Sequence, residues 1–241
     1  MELKIFQKGF NFSQDGPGNR LVYHLYGCNM RCPWCSNPEG IGLVGDYFTA
    51  CPSDIVTEAQ NCIPMFFEGG GVTFTGGEAT LQLKPLKETL KELKEIGIST
   101  AMETNGTCEK FSELLPLLDY VIMDFKHPDN TKHKTFTGIS NEIIKQNITL
   151  AANSGKWLLI RVQLIGGFNT DETDFSGFLE FFSSINAENV QFELLSYHEY
   201  GKDKWLKNGL DYKMENAFVT DETKLCFENI LKNNGLKVVR T

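Results

Sequence analysis

GVTFTGGEATLQLKPLKETLKELKEIGISTAM, residues 71–102, reads as a strand, a helix and a second strand in succession. Gly71 to Thr75 and Ile98 to Met102 are short runs of β-branched, aromatic and aliphatic residues, the types that fit a pleated, half-buried surface. Between them, Leu83, Leu86, Leu90 and Leu93 fall on one face at helical spacing. Pro85 is tolerated in the first turn of this helix, 81–96, and Gly97 stops it. Four more strand-like runs lie outside this stretch: Leu21 to Tyr26, Tyr120 to Phe125, Trp157 to Ile165 and Val190 to Leu195. Six strands alternating with helical patterns are the signature of repeated βα units around a parallel sheet. The other helical patterns cover 53–63, 110–118, 140–154 and 171–184, with a last one from a Thr220 cap to a Gly235 stop. In the first of these, Ile55, Ala59 and Cys62 recur at i, i+4 and i+7, which places Cys62 on the buried face. No internal repeat, charge block or Pro/Gly/Ser linker divides the chain, so residues 1–241 are expected to form a single α/β domain.

The composition agrees with a packed core. Hydrophobic residues make up 41% and charged residues 22%, with 18 Phe, which is ordinary globular usage. No apolar run approaches the roughly 18 residues of a membrane span, and the densest stretch, Trp157 to Ile160, is strand-sized. The opening MELKIFQKGF has no long apolar segment of the secretory kind, so a cytoplasmic protein with no membrane association is expected. Lys plus Arg number 23 against 31 Asp plus Glu, a net charge of −8. That balance argues against sequence-independent nucleic-acid binding, which needs cations to displace phosphate counterions.

In a sheet of βα units, ligands bind where the carboxyl ends of the strands emerge. The segments expected there are Cys28 to Cys35, TGGE at 75–78, ETN at 103–105, DFK at 124–126 and YHEYGK at 197–202. They hold nearly all the unusual polar chemistry of the chain. Seven cysteines, at 28, 32, 35, 51, 62, 108 and 226, are an odd number without an export signal, so a disulfide scaffold fits poorly. Three of them crowd into YGCNMRCPWCSNPEG, residues 26–40, with C-x3-C-x2-C spacing. A loop this short suits three thiolates around one inorganic centre. Structural zinc normally takes four protein ligands, and an iron–sulfur cluster with only three thiolates keeps one iron open for another ligand. Three unrelated buried thiols fit a loop of Asn, Arg, Pro and Gly poorly.

With an aromatic residue, Trp34, just before the third cysteine, this spacing resembles that of the radical S-adenosylmethionine (SAM) enzymes. The resemblance implies a partial (β/α)6 barrel of parallel strands. It also implies a [4Fe–4S] cluster on Cys28, Cys32 and Cys35 as the catalytic residues, whose open iron chelates SAM through its amino and carboxylate groups. One-electron reduction then breaks a carbon–sulfur bond to give a 5′-deoxyadenosyl radical. Further runs look like those of the glycyl-radical-enzyme activating enzymes: DGPGNR at 15–20, GGGVTFTGGEATLQ at 69–82, ETNG at 103–106, DFK at 124–126, TGISN at 137–141 and ELLSYHEYGKDKW at 193–205.

Carried over residue by residue, this narrower resemblance implies that Trp34 and Ser36 lie beside the adenine. The backbone of Gly76 and Gly77, with Glu78, receives the methionyl amino group. Asp124, Phe125 and Lys126 reach the polar end of SAM, and His198 lies along the nucleoside. A Gly pair permits close backbone approach, and a carboxylate seeks Lys. Taken alone, Asp124 or Lys126 would more often be half of a surface ion pair. The family's D-T-N run binds a monovalent cation together with the D-x-K aspartate. Here the first position is Glu103, a methylene longer with the same charge and hard oxygen donors, so the implied cation ligands are Glu103, Thr104 and Asp124. Asp15 is implied to hold the incoming substrate peptide.

Many relatives of this broad group insert a ferredoxin-like module, but only 41 residues separate Cys35 from Gly77, with Cys51 and Cys62 alone among them. No second cluster is expected. Cys62 and Cys226 are read as core residues, and Cys51 and Cys108 stay undecided. The implied function is abstraction of a glycine Cα hydrogen from a separate glycyl radical enzyme, by a monomer fed by a flavodoxin- or ferredoxin-type electron donor. The rival readings are a radical SAM enzyme acting on another peptide or a small molecule, and a non-catalytic zinc-binding interaction module.

Overall fold

A computed structural model describes all 241 residues. The chain gathers into two compact units whose segments interleave, so no single cut separates them. The first comprises Met1–Asn29, Asn37–Thr104 and Cys108–Ile122, and the second Met30–Ser36, Asn105–Thr107 and Met123–Thr241.

In the first unit, β1 (Leu3–Phe12) and β2 (Asn19–Leu25) form an antiparallel hairpin, and β3 (Phe48–Ala50) pairs antiparallel on the other side of β1. Parallel pairing then carries the sheet from β2 to β4 (Gly71–Gly76) and on to β5 (Thr100–Thr104). The strand order is β3-β1-β2-β4-β5-β6, where β6 (Tyr120–Asp124) runs from this unit into the next. Two helices belong here: α1 (Pro52–Asn61) and α2 (Leu83–Glu95). Leu86, Leu90 and Leu93 of α2 are completely buried, each contributing about 1.5–3 kcal/mol of burial. Leu83, at the helix start, is half-buried.

The second unit continues the order β6-β7-β8, with β7 (Trp157–Leu164) parallel to β8 (Val190–Ser196). Its helices are α3 (Asn130–Thr137), α4 (Glu142–Ala152), α5 (Glu172–Ser184), α6 (Lys202–Lys207) and α7 (Asp221–Asn233). The abundance of Phe is concentrated in its core. Phe125 packs against Phe178 and Phe181 at ring-centroid distances of 5.7 and 4.8 Å, Phe182 against Phe192 at 4.6 Å, and Phe175 stacks on Phe227 at 4.3 Å. The fold is the expected α/β class with mostly parallel strands of a partial barrel, and all six strands read from the sequence are present. No helix is long and apolar enough to cross a membrane.

Several expectations need correction. The helix expected at 110–118 is two 3-10 turns, Phe111–Glu113 and Leu115–Leu117, because Pro116 has no N–H to continue an α-helix. Cys226 is exposed on α7 rather than in the core, while its neighbour Phe227 is fully buried. Cys62 is half-buried at the C-terminal cap of α1, where its N–H donates to Glu58 O at 3.1 Å. Of the two undecided thiols, Cys51 caps the start of α1, its Sγ 2.9 Å from Asp54 Oδ2. Burial pushes the Cys108 thiol pKa up, against hydrogen bonds from the Lys110 backbone and Thr80.

The packing also sets an acid limit. His133 of α3 is fully buried, its Nδ1 lies 2.7 Å from Ile139 O, and its Nε2 has no partner. Burial lowers its pKa from 6.5 to about 4. As pH falls below about 6.5, the unfolded chain takes up a proton that the folded chain refuses until about pH 4. The stability present above pH 6.5 is therefore lost across that window, at about 1.4 kcal/mol per pH unit and about 3 kcal/mol in all. Urea unfolding from pH 7 to pH 4.5 should show this slope, and His133→Asn should flatten it.

Candidate functional site

The rim of the first unit is built by backbone stitching. Where β2 ends, Gly27 N–H donates to Gly40 O at 2.9 Å and Cys28 N–H to Ile41 O at 3.1 Å, so the two ends of the cysteine loop are tied together within this unit. The TGGE run is fastened to the same strand end: Gly77 N–H donates to Leu25 O at 3.0 Å and Glu78 N–H to Gly27 O at 2.7 Å. A Cβ on Gly76 would lie 2.3 Å from Leu25 N, and one on Gly77 would lie 2.3 Å from both Gly27 O and Gly40 O. Close approach of protein backbone alone therefore requires both glycines. The run forms a support for the backbone of Cys28.

Glu78 is 1% exposed. Its Oε1 accepts from Thr80 N at 3.0 Å, Thr80 Oγ1 at 2.5 Å and Thr104 Oγ1 at 2.8 Å, capping the turn Ala79–Gln82. Glu103, half-buried at the end of β5, accepts from Thr75 Oγ1 at 2.9 Å. A ladder of threonine hydroxyls thus fixes both carboxylates of this rim. Asp15 lies elsewhere. It sits in the β1–β2 turn at the start of β2, with its carboxylate bonded to Asn11 Nδ2 and its carbonyl to Thr73 Oγ1 at 2.7 Å. Seven residues of extended strand, about 20 Å, separate that end of β2 from the Cys28 end.

The second unit holds the other two cysteines. Cys35 N–H donates to Cys32 O at 3.2 Å, Arg31 N–H to Thr137 O at 2.9 Å, and Trp34 is 7% exposed with its ring 4.8 Å from that of Phe168. Trp34 therefore anchors this arm of the loop in the unit's aromatic core. Ser36 follows, half-buried. None of the seven cysteines forms a disulfide.

At the end of β6, Asp124 and Lys126 pair at 2.7 Å, and Gln163 Nε2 donates to Asp124 Oδ1 at 2.8 Å. Lys126 is only 7% exposed, so this is not the weak surface pair expected of either residue alone. Asn169 completes the arrangement by donating to the carbonyls of Lys126 and Gln163 at 2.9 and 2.7 Å. Gln163 and Asn169 were not singled out from the sequence, and the one signal was a lone amide in the apolar run WLLIRVQL. The Phe125 ring is wholly buried in the aromatic core, so any contact with a cofactor must come from its backbone. His198 stacks on Tyr200 at 4.1 Å, and burial lowers its pKa, which keeps the imidazole neutral at pH 7.

Residues 22–182 match the radical SAM superfamily. The chain is 34% identical over 218 residues to the pyruvate formate-lyase-activating enzyme of Staphylococcus epidermidis, covering 86% of each, and equally similar to that of Staphylococcus aureus. Among solved structures, a domain of pyruvate-formate lyase-activating enzyme from Bacteroides vulgatus is 30% identical, with a TM-score of 0.59 over 70% of this chain and 98% of that one. QueE from Escherichia coli, 14% identical, shares the fold, with a TM-score of 0.60 over 99% of this chain and 93% of that one.

Proposed function

Because this chain belongs to the radical SAM superfamily, as an enzyme of the pyruvate formate-lyase-activating type, we propose that it removes the Cα hydrogen of a glycine in a partner glycyl radical enzyme. The family's cofactors, a [4Fe–4S] cluster and SAM, supply when bound a one-electron cleavage of a carbon–sulfur bond and a 5′-deoxyadenosyl radical that accepts the hydrogen atom. The observation that carries the reading is the C-x3-C-x2-C loop following a parallel strand, with Gly27, the residue before its first cysteine, tied to the TGGE run.

Cys28, Cys32 and Cys35 fit such a cluster as a donor set: three soft thiols within eight residues, none in a disulfide. In the first unit, the Gly76–Gly77 backbone and the rigid Glu78 carboxylate are the proposed receivers of a cationic amino group. In the second, Lys126 binds a carboxylate, held in place by Asp124 and Gln163. Trp34 and Ser36 are the proposed neighbours of the adenine, and neutral His198 suits an uncharged nucleoside. By the resemblance, Glu103, Thr104 and Asp124 are the oxygen donors proposed for a monovalent cation. The far position of Asp15 supports a contact with partner chain flanking the glycine rather than with the glycine itself. A flavodoxin- or ferredoxin-type protein is the proposed electron donor.

Two measurements test this. Anaerobically reconstituted protein should convert SAM to methionine and 5′-deoxyadenosine, and deuterium on the partner's glycine should appear in the 5′-deoxyadenosine. Transfer from a small molecule instead would favour the rival reading. Lys126→Ala should leave the cluster intact and weaken SAM binding roughly 10- to 100-fold, as loss of a charged hydrogen bond of about 1.5–3 kcal/mol requires. Unchanged affinity by titration would remove Lys126 from the site.

A further inference from the structure

The run YHEYGKDKW, residues 197–205, has a use for His198 above but none for its last five residues. The structure joins them to the cysteine loop within the second unit. The indole Nε1–H of Trp205 donates to the Cys35 carbonyl at 2.8 Å, across 170 positions of sequence. A Cβ on Gly201 would lie 2.6 Å from that same oxygen and 2.8 Å from Ser36 Cα. Trp205 N–H closes on Gly201 O at 3.0 Å, so both contacts come from one helical turn pressed onto one peptide group. Behind that turn the Trp205 ring meets Tyr212 edge-on at 6.0 Å, and the Tyr212 hydroxyl lies 2.7 Å from that of Tyr197. Tyr197 directly follows β8, is 6% exposed, and its N–H donates to Leu164 O at 3.0 Å. A continuous line of contacts therefore runs from the ends of β7 and β8 to the third cysteine.

We propose that Trp205, seated over Gly201, is a positioning residue that aims the Cys35 thiolate at the cluster. This rests on the reading of Cys35 as a cluster ligand. A peptide group is planar, so fixing its carbonyl direction fixes the Cα atoms of both Cys35 and Ser36. The Cys35 N–H bond to Cys32 O at 3.2 Å restrains the remaining rotation about the Cys35 Cα–C bond, and the side-chain torsion is left to aim the thiol. The indole N–H is a donor and nothing else, so it bonds the carbonyl in one peptide orientation and not in the flipped one. Outer partners of metal ligands commonly set affinity and electronic properties. The close contact at Gly201 gives the peptide no room to rotate.

The test compares wild type, Trp205→Phe and Tyr212→Phe, all anaerobically reconstituted. Iron and sulfide content, the electron paramagnetic resonance spectrum of the reduced cluster, and the rate of iron loss to a chelator are measured on each. Trp205→Phe keeps an aromatic ring and loses the N–H. It should load the same iron, show shifted g-values, and lose iron about tenfold faster. Tyr212→Phe keeps the indole bond and should match wild type. A Trp205→Phe protein equal to wild type in spectrum and iron loss overturns the proposal, as does a Tyr212→Phe protein displaced just as far. Should Trp205→Phe fail to fold, Gly201→Ala carries the same two readouts. It should shift both, and equality with wild type again overturns the proposal. Wild type that assembles no cluster is a different failure, that of Cys35 as a ligand.

Discussion

Cys32→Ala is expected to reduce iron and sulfide to background and to abolish SAM cleavage. The loop offers three thiolates for a cluster that already keeps one iron open, so a two-thiolate loop has no reserve. No other cysteine is suited to substitute. Cys51 is engaged with Asp54 at the start of α1, Cys62 is half-buried at the C-terminal cap of the same helix, burial holds the Cys108 thiol protonated, and Cys226 lies on the exposed face of α7. The folded chain should survive, because Cys32 makes no disulfide. Iron analysis, far-ultraviolet circular dichroism and a 5′-deoxyadenosine assay together check this. Cleavage retained without Cys32 would contradict the cluster assignment.

The largest expected loss of stability comes from Arg20→Met. Arg20 ends the DGPGNR run and is completely buried. Its Nε donates to Thr73 Oγ1 at 2.7 Å, Nη2 to Val72 O at 2.8 Å and Ser99 O at 3.1 Å, and Nη1 to Gly69 O at 3.1 Å and Pro17 O at 3.3 Å. Burial lowers its pKa to about 10, which leaves it charged at neutral pH. Methionine fills much of the stem volume but none of the donor positions. Each buried acceptor left unpaired costs about 1–3 kcal/mol, partly relieved by relaxation, so a net loss of about 3–5 kcal/mol is expected. Thr73 also holds the Asp15 carbonyl, so residues 13–18 should loosen and become more sensitive to protease. Urea unfolding at pH 7 measures the loss, and a change under 1 kcal/mol, an order-of-magnitude threshold, would show that water replaces these bonds.

The parallel core of this fold was legible because it obeys simple periods. The leucines of α2 and the apolar runs of β4, β6, β7 and β8 report burial directly. The hairpin strand β1 was not, since its outer half is exposed and only Leu3 and Ile5 are fully buried. Strand β3 has three residues, too few for any pattern. Helix α3 is signalled by caps, Asp129 and Gly138, rather than by an apolar stripe.

At the site, the cysteines and carboxylates could be found by residue type, but their settings could not. Glycines 76 and 77 were legible as a pair that permits close backbone approach, but not that neighbouring backbone occupies the side on which a Cβ would stand. Taken alone, Asp124 or Lys126 would be half of a surface pair; Lys126 is buried and Asp124 half-buried, and an amide from β7 bridges them. Asp15 reads as holding the incoming substrate peptide, and its place at the start of β2, the end of the strand away from Cys28, is set by chain direction and not by residue type. Contacts set by chain direction and by distant residues such as Trp205 leave no local signature.

The activity proposed for this chain is the installation of a radical on a glycine of another protein. The most direct measurement is anaerobic incubation of the reduced, cluster-loaded protein with SAM and pyruvate formate-lyase, followed by electron paramagnetic resonance. The predicted result is a glycyl radical signal that needs all three components and vanishes when the partner's reacting glycine is replaced by alanine. Full cleavage of SAM to 5′-deoxyadenosine with no glycyl radical on that partner would contradict the proposed activity.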